Sequence, residues 1–219
     1  MPAPNRILAP GVTHCCYMKS PPGNVCFLDD SCYDFYLRRL LARSAGFRVQ
    51  LHAYFLLDDE VLLLLTPRTP FAVSDWLRSV NYCFGEYFRQ RYRRPTRVCP
   101  RLRAVSEIRG DAAVLDCQKF LELEGSLKLG LEHPGEHHWS SYSRHAFGIS
   151  HGAGAGDSSH SLSPHRATAD YLSAGVEMLY EYREFIARGY TESYHRYLSV
   201  RLRHGKPIGV SKRRAPVAA

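Results

Sequence analysis

The sequence lacks any run of 18 apolar residues, and this absence excludes a membrane-spanning helix from its interpretation. It also lacks cysteines at CxxC spacing and a secretory signal, although it contains seven cysteines. We therefore expect reduced thiols, a cytoplasmic protein and no membrane partner. A zinc site built from cysteines and scattered histidines stays open as an alternative, but the spacing does not favour it.

The chain also lacks internal repeats and a nucleotide-binding loop. The glycine-rich stretch at residues 152–156, Gly-Ala-Gly-Ala-Gly, has no predicted strand before it, so it does not match a phosphate-cradling turn. It belongs to a low-complexity segment that is typical of a flexible loop. The sequence therefore predicts no cofactor.

Composition favours one well-buried core and an anionic partner. The 219 residues are 45% hydrophobic and 23% charged, which suits one main domain with a helical extension. The net charge of +8 favours a polyanion. Charge alone does not distinguish DNA, RNA and a membrane surface.

A central hairpin is predicted at residues 47–67. Two apolar stretches rich in leucine, aromatic and β-branched residues flank the acidic turn at Asp58 and Asp59. Side chains alternate along a strand, so two sets of residues are each expected to share one face: His52, Tyr54 and Leu56 before the turn, and Glu60, Leu62 and Leu64 after it.

Periodicity places the remaining elements around this hairpin. A strand is expected at residues 10–18 and another at 102–108, with helices at 29–43, 74–91, 111–123, 167–187 and 191–204. Asp29 or Asp30 is a candidate N-cap of the first helix. We expect an α+β domain at residues 1–150, a flexible Gly/Ser-rich loop at 151–164, and a C-terminal helical extension with a basic tail at 165–219.

Arginines are concentrated between residues 89 and 103, where no acidic residue occurs. One guanidinium group can donate to two phosphate oxygens at once, so this run of arginines predicts a nucleic-acid-binding surface. A solvated basic surface is the alternative. The candidate binding residues are Arg89, Arg91, Arg93, Arg94, Arg97, Arg101 and Arg103, together with Lys212, Arg213 and Arg214 in the tail.

The hairpin resembles the core of the single-tyrosine HUH transposases, most closely the REP-associated tyrosine transposases. Their usual wording is close to His-Ala-Tyr-Val-Leu-Met-Pro-Asn-His-Val-His-Leu-Leu, which matches the segment that begins at His52 and Ala53. A second similarity is Pro-Gly-Glu-His-His-Trp-Ser-Ser-Tyr at residues 134–142, where Trp139 is expected to be a packing anchor and Ser140 and Ser141 to cap the next turn. The resemblance spans most of the chain and implies a ferredoxin-like antiparallel sheet with helices on one face.

The resemblance fails at the positions that carry the family's chemistry. The two histidines that bind the family's metal correspond to Glu60 and Leu62, and the nucleophilic tyrosine corresponds to Phe120. Leucine offers no lone pair to a cation, and phenylalanine has no oxygen to attack phosphorus. We therefore expect no metal site and no intact catalytic residue at these positions.

The resulting hypothesis is a catalytically inactive or regulatory DNA-binding protein of transposase-like fold that binds hairpin or single-stranded DNA. An RNA-binding regulator and a protein-interaction module stay open. So does a divergent nicking enzyme in which Glu60, Asp58 or Asp59 joins His52 or His14 around a metal. The chain is also a candidate to form a homodimer or to pair with an active relative.

Overall fold

The structure, a computed structural model, describes residues 7–93, 99–148, 162–168 and 175–209. Some of the predicted features fall outside these ranges. These are the candidate binding residues Arg94 and Arg97, the basic tail at residues 212–214, and residues 151–161 of the predicted loop. The last residues of that loop are described, and Leu162 is buried in the core.

Four antiparallel strands form one sheet. They are β1 Thr13–Lys19, β2 Val49–Leu57, β3 Glu60–Pro67 and β4 Arg101–Ile108. Their spatial order is β2-β3-β1-β4. With one helix after β1 and another after β3, this is the ferredoxin-like arrangement that was predicted.

Six α-helices with described bounds accompany the sheet, and residues 166–168 are also helical. The six helices are α1 Asp30–Ser44, α2 Ala72–Tyr92, α3 Asp111–Leu129, α4 Tyr142–Phe147, α5 Gly175–Ala187 and α6 Glu192–Arg203. The predicted cap of α1 is confirmed, because the Asp29 side chain accepts from the Cys32 backbone N–H at 3.1 Å. Helix α3 extends six residues beyond its predicted end at residue 123.

The first face of the sheet packs against α1 and α2. Val61, Leu63 and Leu65 of β3 point to this side and join one buried cluster with both helices. Trp76 of α2 is fully buried and donates its indole N–H to the Leu40 carbonyl of α1 at 3.2 Å. The two helices are therefore joined to each other as well as to the sheet.

The second face packs against α3 and α6. Leu62 and Leu64 alternate with the residues of the first face and join a cluster that contains Phe120 of α3 and Leu198 of α6. This confirms the predicted alternation after the hairpin turn. Because β1 and β3 are covered on both sides, they are apolar along nearly their whole length.

Two register shifts change which way side chains point. In the β2–β3 pair, Leu51 lies opposite Leu65 and Ala53 opposite Leu64, so His52 is the extra residue of a bulge. His52 contacts Thr66, on the second face, whereas Tyr54 and Leu56 belong to the first-face cluster. The prediction that His52 shares their face was wrong because simple alternation ignores a bulge.

All seven cysteines are free thiols, and five of them are buried. Within the described ranges, no three His, Cys, Asp or Glu side chains cluster closely enough to hold a metal ion. None of the described helices is sufficiently long and apolar to cross a membrane.

Candidate nucleic-acid interface

One end of the sheet brings together the positions that the sequence singled out. Lys19 at the end of β1 lies opposite Glu60 at the start of β3 on one side and Arg101 at the start of β4 on the other. The hairpin turn at Asp58 and Asp59 lies at the same end, which we call the turn end. Glu60, which matches a metal-ligand position, and Arg101, a candidate phosphate-binding residue, therefore lie at the same end of the sheet.

Glu60 is buried there and is held by cations. Its exposed fraction is 2%, and Arg203 of α6 donates to its Oε1 at 2.8 Å. Lys128 near the end of α3 pairs with the same oxygen, and the Tyr17 hydroxyl donates to Oε2 at 3.4 Å. Both oxygens of this carboxylate are thus occupied by groups of the protein itself.

A second buried glutamate completes the cluster. Arg203 also donates to Glu124 Oε1 at 2.6 Å, and His195 Nε2 lies 2.7 Å from Glu124 Oε2. We call Glu60, Glu124, Lys128, His195 and Arg203 the Arg203 network. It joins β3, α3 and α6 through charge, in a region where unpaired charge would cost several kcal/mol.

The pKa values show that the network favours charged side chains. Burial alone would raise the pKa of Glu60, but the hydrogen bonds and charges of Arg203 and Lys128 outweigh burial and lower that pKa below its usual value. For Arg203, burial lowers the pKa, yet Glu60 and Glu124 raise it well above the ordinary value. Glu60 is therefore an ionised partner of Arg203.

Leu62 and Phe120 fill the space beside this network with apolar atoms. Both side chains are fully buried in the second-face cluster. The Phe120 ring centroid lies 5.1 Å from that of His195 and 6.0 Å from the Arg203 guanidinium carbon. Glu60, Leu62 and Phe120 are thus gathered in one region of the second face, where they are packed against protein groups.

Exposed arginines surround the turn end. Arg89 pairs with Glu86 at 2.5 Å, and Arg91 lies 3.7 Å from Asp29 at the N-cap of α1. Arg93 caps α2 in the left-handed conformation, with φ of 54°. Among the described residues, no carboxylate lies within ion-pair distance of Arg93, which leaves its charge available to an external anion.

Strand β4 carries two further exposed arginines, Arg101 and Arg103, along the edge of the sheet. Tyr17 lies opposite Ala104 and Met18 opposite Leu102, so Arg103 is the extra residue of a second bulge. Charged residues on an edge strand oppose pairing with another strand. These arginines consequently suit either protection of the edge or contact with phosphate.

The histidines of the alternative metal hypothesis lie far from Glu60. His14 pairs across the sheet with Leu65, and His52 donates or accepts at Thr66 Oγ1 at 2.8 Å, both near the opposite end of β3. Burial lowers the pKa of His52 to about 4. The His52 side chain lines a cleft of about 740 Å³, together with Thr13 and His165. The structure therefore does not bring these histidines to the acidic turn.

Sequence reasoning missed a buried polar cluster behind the hairpin. Glu122 is fully buried and accepts from the Ser141 hydroxyl at 2.9 Å and the Tyr182 hydroxyl at 2.6 Å. His145 Nδ1 lies 2.5 Å from the same carboxylate. The available signal was the two acids Glu122 and Glu124 among leucines of α3, since a buried acid requires partners.

Two predictions about the segment at residues 134–142 have different outcomes. Trp139 is a packing anchor, as expected, because its ring stacks on Tyr33 of α1 with centroids 4.9 Å apart. Ser140 and Ser141 were expected to cap the next turn. The Ser140 hydroxyl accepts from the Tyr142 backbone N–H at 3.4 Å at the start of α4, whereas Ser141 makes no capping bond. The Ser141 hydroxyl instead donates to Glu122 and accepts from the Tyr54 N–H at 3.3 Å. This segment therefore connects β2 with α3.

The fold of this chain is similar to that of a protein of known structure. No protein-family model matches the chain, and no curated protein matches it. A solved structure described as the REP-associated tyrosine transposase bound to a REP hairpin is similar, at 15% sequence identity and a TM-score of 0.53, over 76% of this chain and 96% of that one. The chain thus has a transposase-like α+β fold.

Proposed function

We propose that this protein binds hairpin or single-stranded DNA through the arginines around its turn end and does not cleave it through the family's metal and tyrosine chemistry. The observation that carries the proposal is the contrast at that end: exposed arginines lie outside, while Glu60, Leu62 and Phe120 are buried inside. The similar transposase was solved with a REP hairpin. That neighbour supports DNA as the first polyanion to test.

The charge arrangement supports phosphate binding. Arg93, Arg101 and Arg103 are exposed, and neither Arg93 nor Arg101 has an ion-pair partner among the described residues. Arginine forks bind phosphate oxygens strongly and lose little hydration. Phosphate contacts position the protein without reading bases, so the proposed surface supplies affinity rather than sequence specificity.

The filled second face supports the absence of cleavage. A metal at Glu60 would compete with Arg203 and Lys128, which already neutralise the carboxylate, and Leu62 supplies no second ligand. Phe120 has no nucleophilic atom, and its ring is fully buried. These contacts support DNA binding without cleavage by this route.

Binding of a labelled DNA hairpin, measured across a salt titration, tests the proposal. The variant Arg93→Ala/Arg101→Ala/Arg103→Ala is expected to weaken binding of all hairpin sequences alike. It should also reduce the slope of log affinity against log salt by about 0.7–0.9 for each phosphate that the variant no longer neutralises. Arg38→Ala/Arg78→Ala, which removes two exposed arginines from the outer surfaces of α1 and α2, is the matched control.

A flat salt response of the wild-type protein would contradict phosphate binding. Equal losses of affinity in the triple variant and the control would contradict the assigned surface. Competition with an RNA hairpin of the same sequence distinguishes the partner, and preference for RNA would overturn the DNA assignment.

A further inference from the structure

A row of tyrosines follows the outer side of α6. Tyr190 precedes the helix, and Tyr194 and Tyr197 follow at helical spacing, so the three rings are neighbours on one surface. The Tyr194 and Tyr197 rings are nearly parallel, with centroids 5.7 Å apart and an interplanar angle of 18°. Tyr190 and Tyr194 have centroids 5.4 Å apart. We call these three residues the tyrosine row.

Tyr190 packs against the core, but Tyr194 and Tyr197 lie outside it. Leu198 and Leu202 hold α6 on the sheet and are fully buried, whereas Tyr194 is 36% and Tyr197 is 44% exposed. Large aromatic rings at a surface are removed from water only when a partner covers them. The core therefore does not explain why aromatic side chains occupy this side of the helix.

The protein nevertheless holds the row in place. The Tyr194 hydroxyl donates to Asp116 Oδ2 at 2.6 Å, and the Tyr190 hydroxyl donates to the Asp116 carbonyl at 2.6 Å. The Arg201 guanidinium carbon lies 5.2 Å from the Tyr197 ring centroid and extends the row by one further planar group. Because the rings are held before any partner arrives, less side-chain entropy is lost on binding.

Cations outnumber acids in the segment that carries the row, although Arg196 pairs with Glu192 and the Asp116 carboxylate accepts from Tyr194. Residues 188–206 contain five lysines and arginines and a single acidic residue, Glu192. Arg188, Arg196 and Lys206 are exposed. A surface that combines flat aromatic rings with cations complements a strand of nucleic acid, whose bases stack on rings and whose phosphates attract arginine. An aliphatic protein segment has no comparable match to this charge.

The row also continues from the proposed phosphate-binding surface. The Ser106 hydroxyl of β4 donates to the Arg201 carbonyl at 3.3 Å, so the end of α6 lies directly on the edge strand. Arg103 and Arg101 occupy the same strand closer to the turn end. A single strand that leaves the turn end along β4 therefore reaches Arg201 and then Tyr197 and Tyr194.

We infer that the tyrosine row is a stacking surface for a single-stranded DNA segment adjoining the hairpin, with bases against Tyr194 and Tyr197 and phosphates near Arg201 and the β4 arginines. This inference rests on the proposed DNA binding and names the part of the ligand that α6 contacts. It gives the protein a means to prefer a hairpin with a single-stranded tail over a blunt hairpin.

The test compares three ligands: a blunt hairpin, the same hairpin with a single-stranded tail of about eight nucleotides, and a hairpin whose tail has abasic sites. The abasic tail keeps the phosphates and removes the bases, so the affinity ratio between the two tails reports stacking alone. We expect the wild-type protein to bind the tail with bases about tenfold more tightly than the abasic tail.

Substitutions then assign the stacking to the row. Tyr197→Ala is expected to abolish the tenfold ratio and leave binding of the blunt hairpin unchanged, whereas Tyr197→Phe keeps the ring and the ratio. Tyr180→Ala is the matched control, because Tyr180 on α5 is 58% exposed and also lies beneath an arginine, Arg183. Quenching of 2-aminopurine in the tail by wild-type protein, but not by Tyr197→Ala, provides a direct signature of stacking.

The outcomes separate the two proposals. If the wild-type protein binds no hairpin, the proposed function fails. If it binds all three ligands equally, or if Tyr180→Ala reduces the ratio as much as Tyr197→Ala, DNA binding stands and the tyrosine row is wrong.

Discussion

The two faces of the sheet are made by the same strands but bury different chemistry. On the first face, leucines of β3 meet an aromatic and aliphatic cluster from α1 and α2. On the α3 side lie the buried carboxylates of the described residues, which are Glu60, Glu122 and Glu124. The first face is thus stabilised by burial of apolar surface, whereas the second depends on each acid keeping its partners.

The face that buries carboxylates is also the face that carries the positions matching the catalytic residues of the transposases. The positions that match the metal ligands and the nucleophile all lie on the second face, where Arg203 now joins β3, α3 and α6. An ion cluster thus lies beside the positions at which the resemblance would place cleavage groups. The comparison therefore predicts that the second face is more sensitive to loss of single polar groups than the first.

The largest effect is expected from breaking the Arg203 network. Arg203→Met leaves Glu60 and Glu124 buried without their shared cation, which should lower the free energy of unfolding by about 3–5 kcal/mol. Lys128→Met is the matched variant, because the Lys128 side chain is 37% exposed. Solvent screening should limit its cost to about 1 kcal/mol or less. Urea unfolding of both variants measures the difference, and equal reductions in stability would show that Arg203 has no special role.

Acid should destabilise the protein through buried histidines such as His52 on the second face. Burial lowers the pKa of His52 to about 4 from its ordinary 6.5, so folded His52 binds its proton less tightly than the unfolded chain does. Its contribution is complete above pH 6.5 and is lost as the pH falls towards 4, by up to about 3 kcal/mol. Burial lowers the pKa of His137 to about 4 in the same direction.

Thermal unfolding between pH 7.5 and pH 4.5 checks this slope. His52→Gln retains hydrogen-bonding groups towards Thr66 but does not titrate, so its stability should fall less steeply with acid. His204→Gln, at the exposed end of α6, is the control for loss of a histidine. A pH profile of His52→Gln that is identical to that of the wild-type protein would exclude His52 as a source of acid sensitivity.

A smaller contrast is expected between two buried tyrosines. The Tyr182 hydroxyl donates to Glu122 at 2.6 Å and receives from Gln118 at 2.7 Å, so Tyr182→Phe should cost about 1.5–3 kcal/mol. The Tyr36 hydroxyl on the first face donates to the neutral Asn81 amide oxygen at 3.1 Å, so Tyr36→Phe should cost about 0.5–1.5 kcal/mol. Chemical unfolding of the two variants compares them directly, and a larger destabilisation by Tyr36→Phe would reverse the comparison.

Much of the fold follows from local sequence patterns. The alternation of Leu62 and Leu64 with Leu63 predicted which side chains share a face, and the acidic turn at Asp58 and Asp59 marked the hairpin. The resemblance implied helices on one face, whereas α1 and α2 cover one face and α3 and α6 cover the other. The bulge at His52 was not predictable, because a bulge depends on the register with the partner strand. Resemblance to a family, in turn, supplied the ferredoxin-like order that periodicity alone leaves open.

The site was predictable only at the positions that a motif names. Glu60, Leu62 and Phe120 were singled out as departures from the family, and the structure gathers them on one face. Arg203 was missed because an arginine in an amphipathic helix is usually solvated, and its burial arises from the docking of α6 across the sheet. Long-range pairing of this kind leaves no local pattern.

The central proposal is that this protein binds DNA and does not cleave it through metal and tyrosine chemistry. Its most direct test incubates the wild-type protein with end-labelled hairpin DNA and Mg²⁺ or Mn²⁺, and compares native with denaturing gels. We predict a shifted complex on the native gel, with neither nicked DNA nor a denaturation-resistant adduct. A covalent adduct that disappears when one tyrosine is replaced, or metal-dependent nicks without an adduct, would contradict the account.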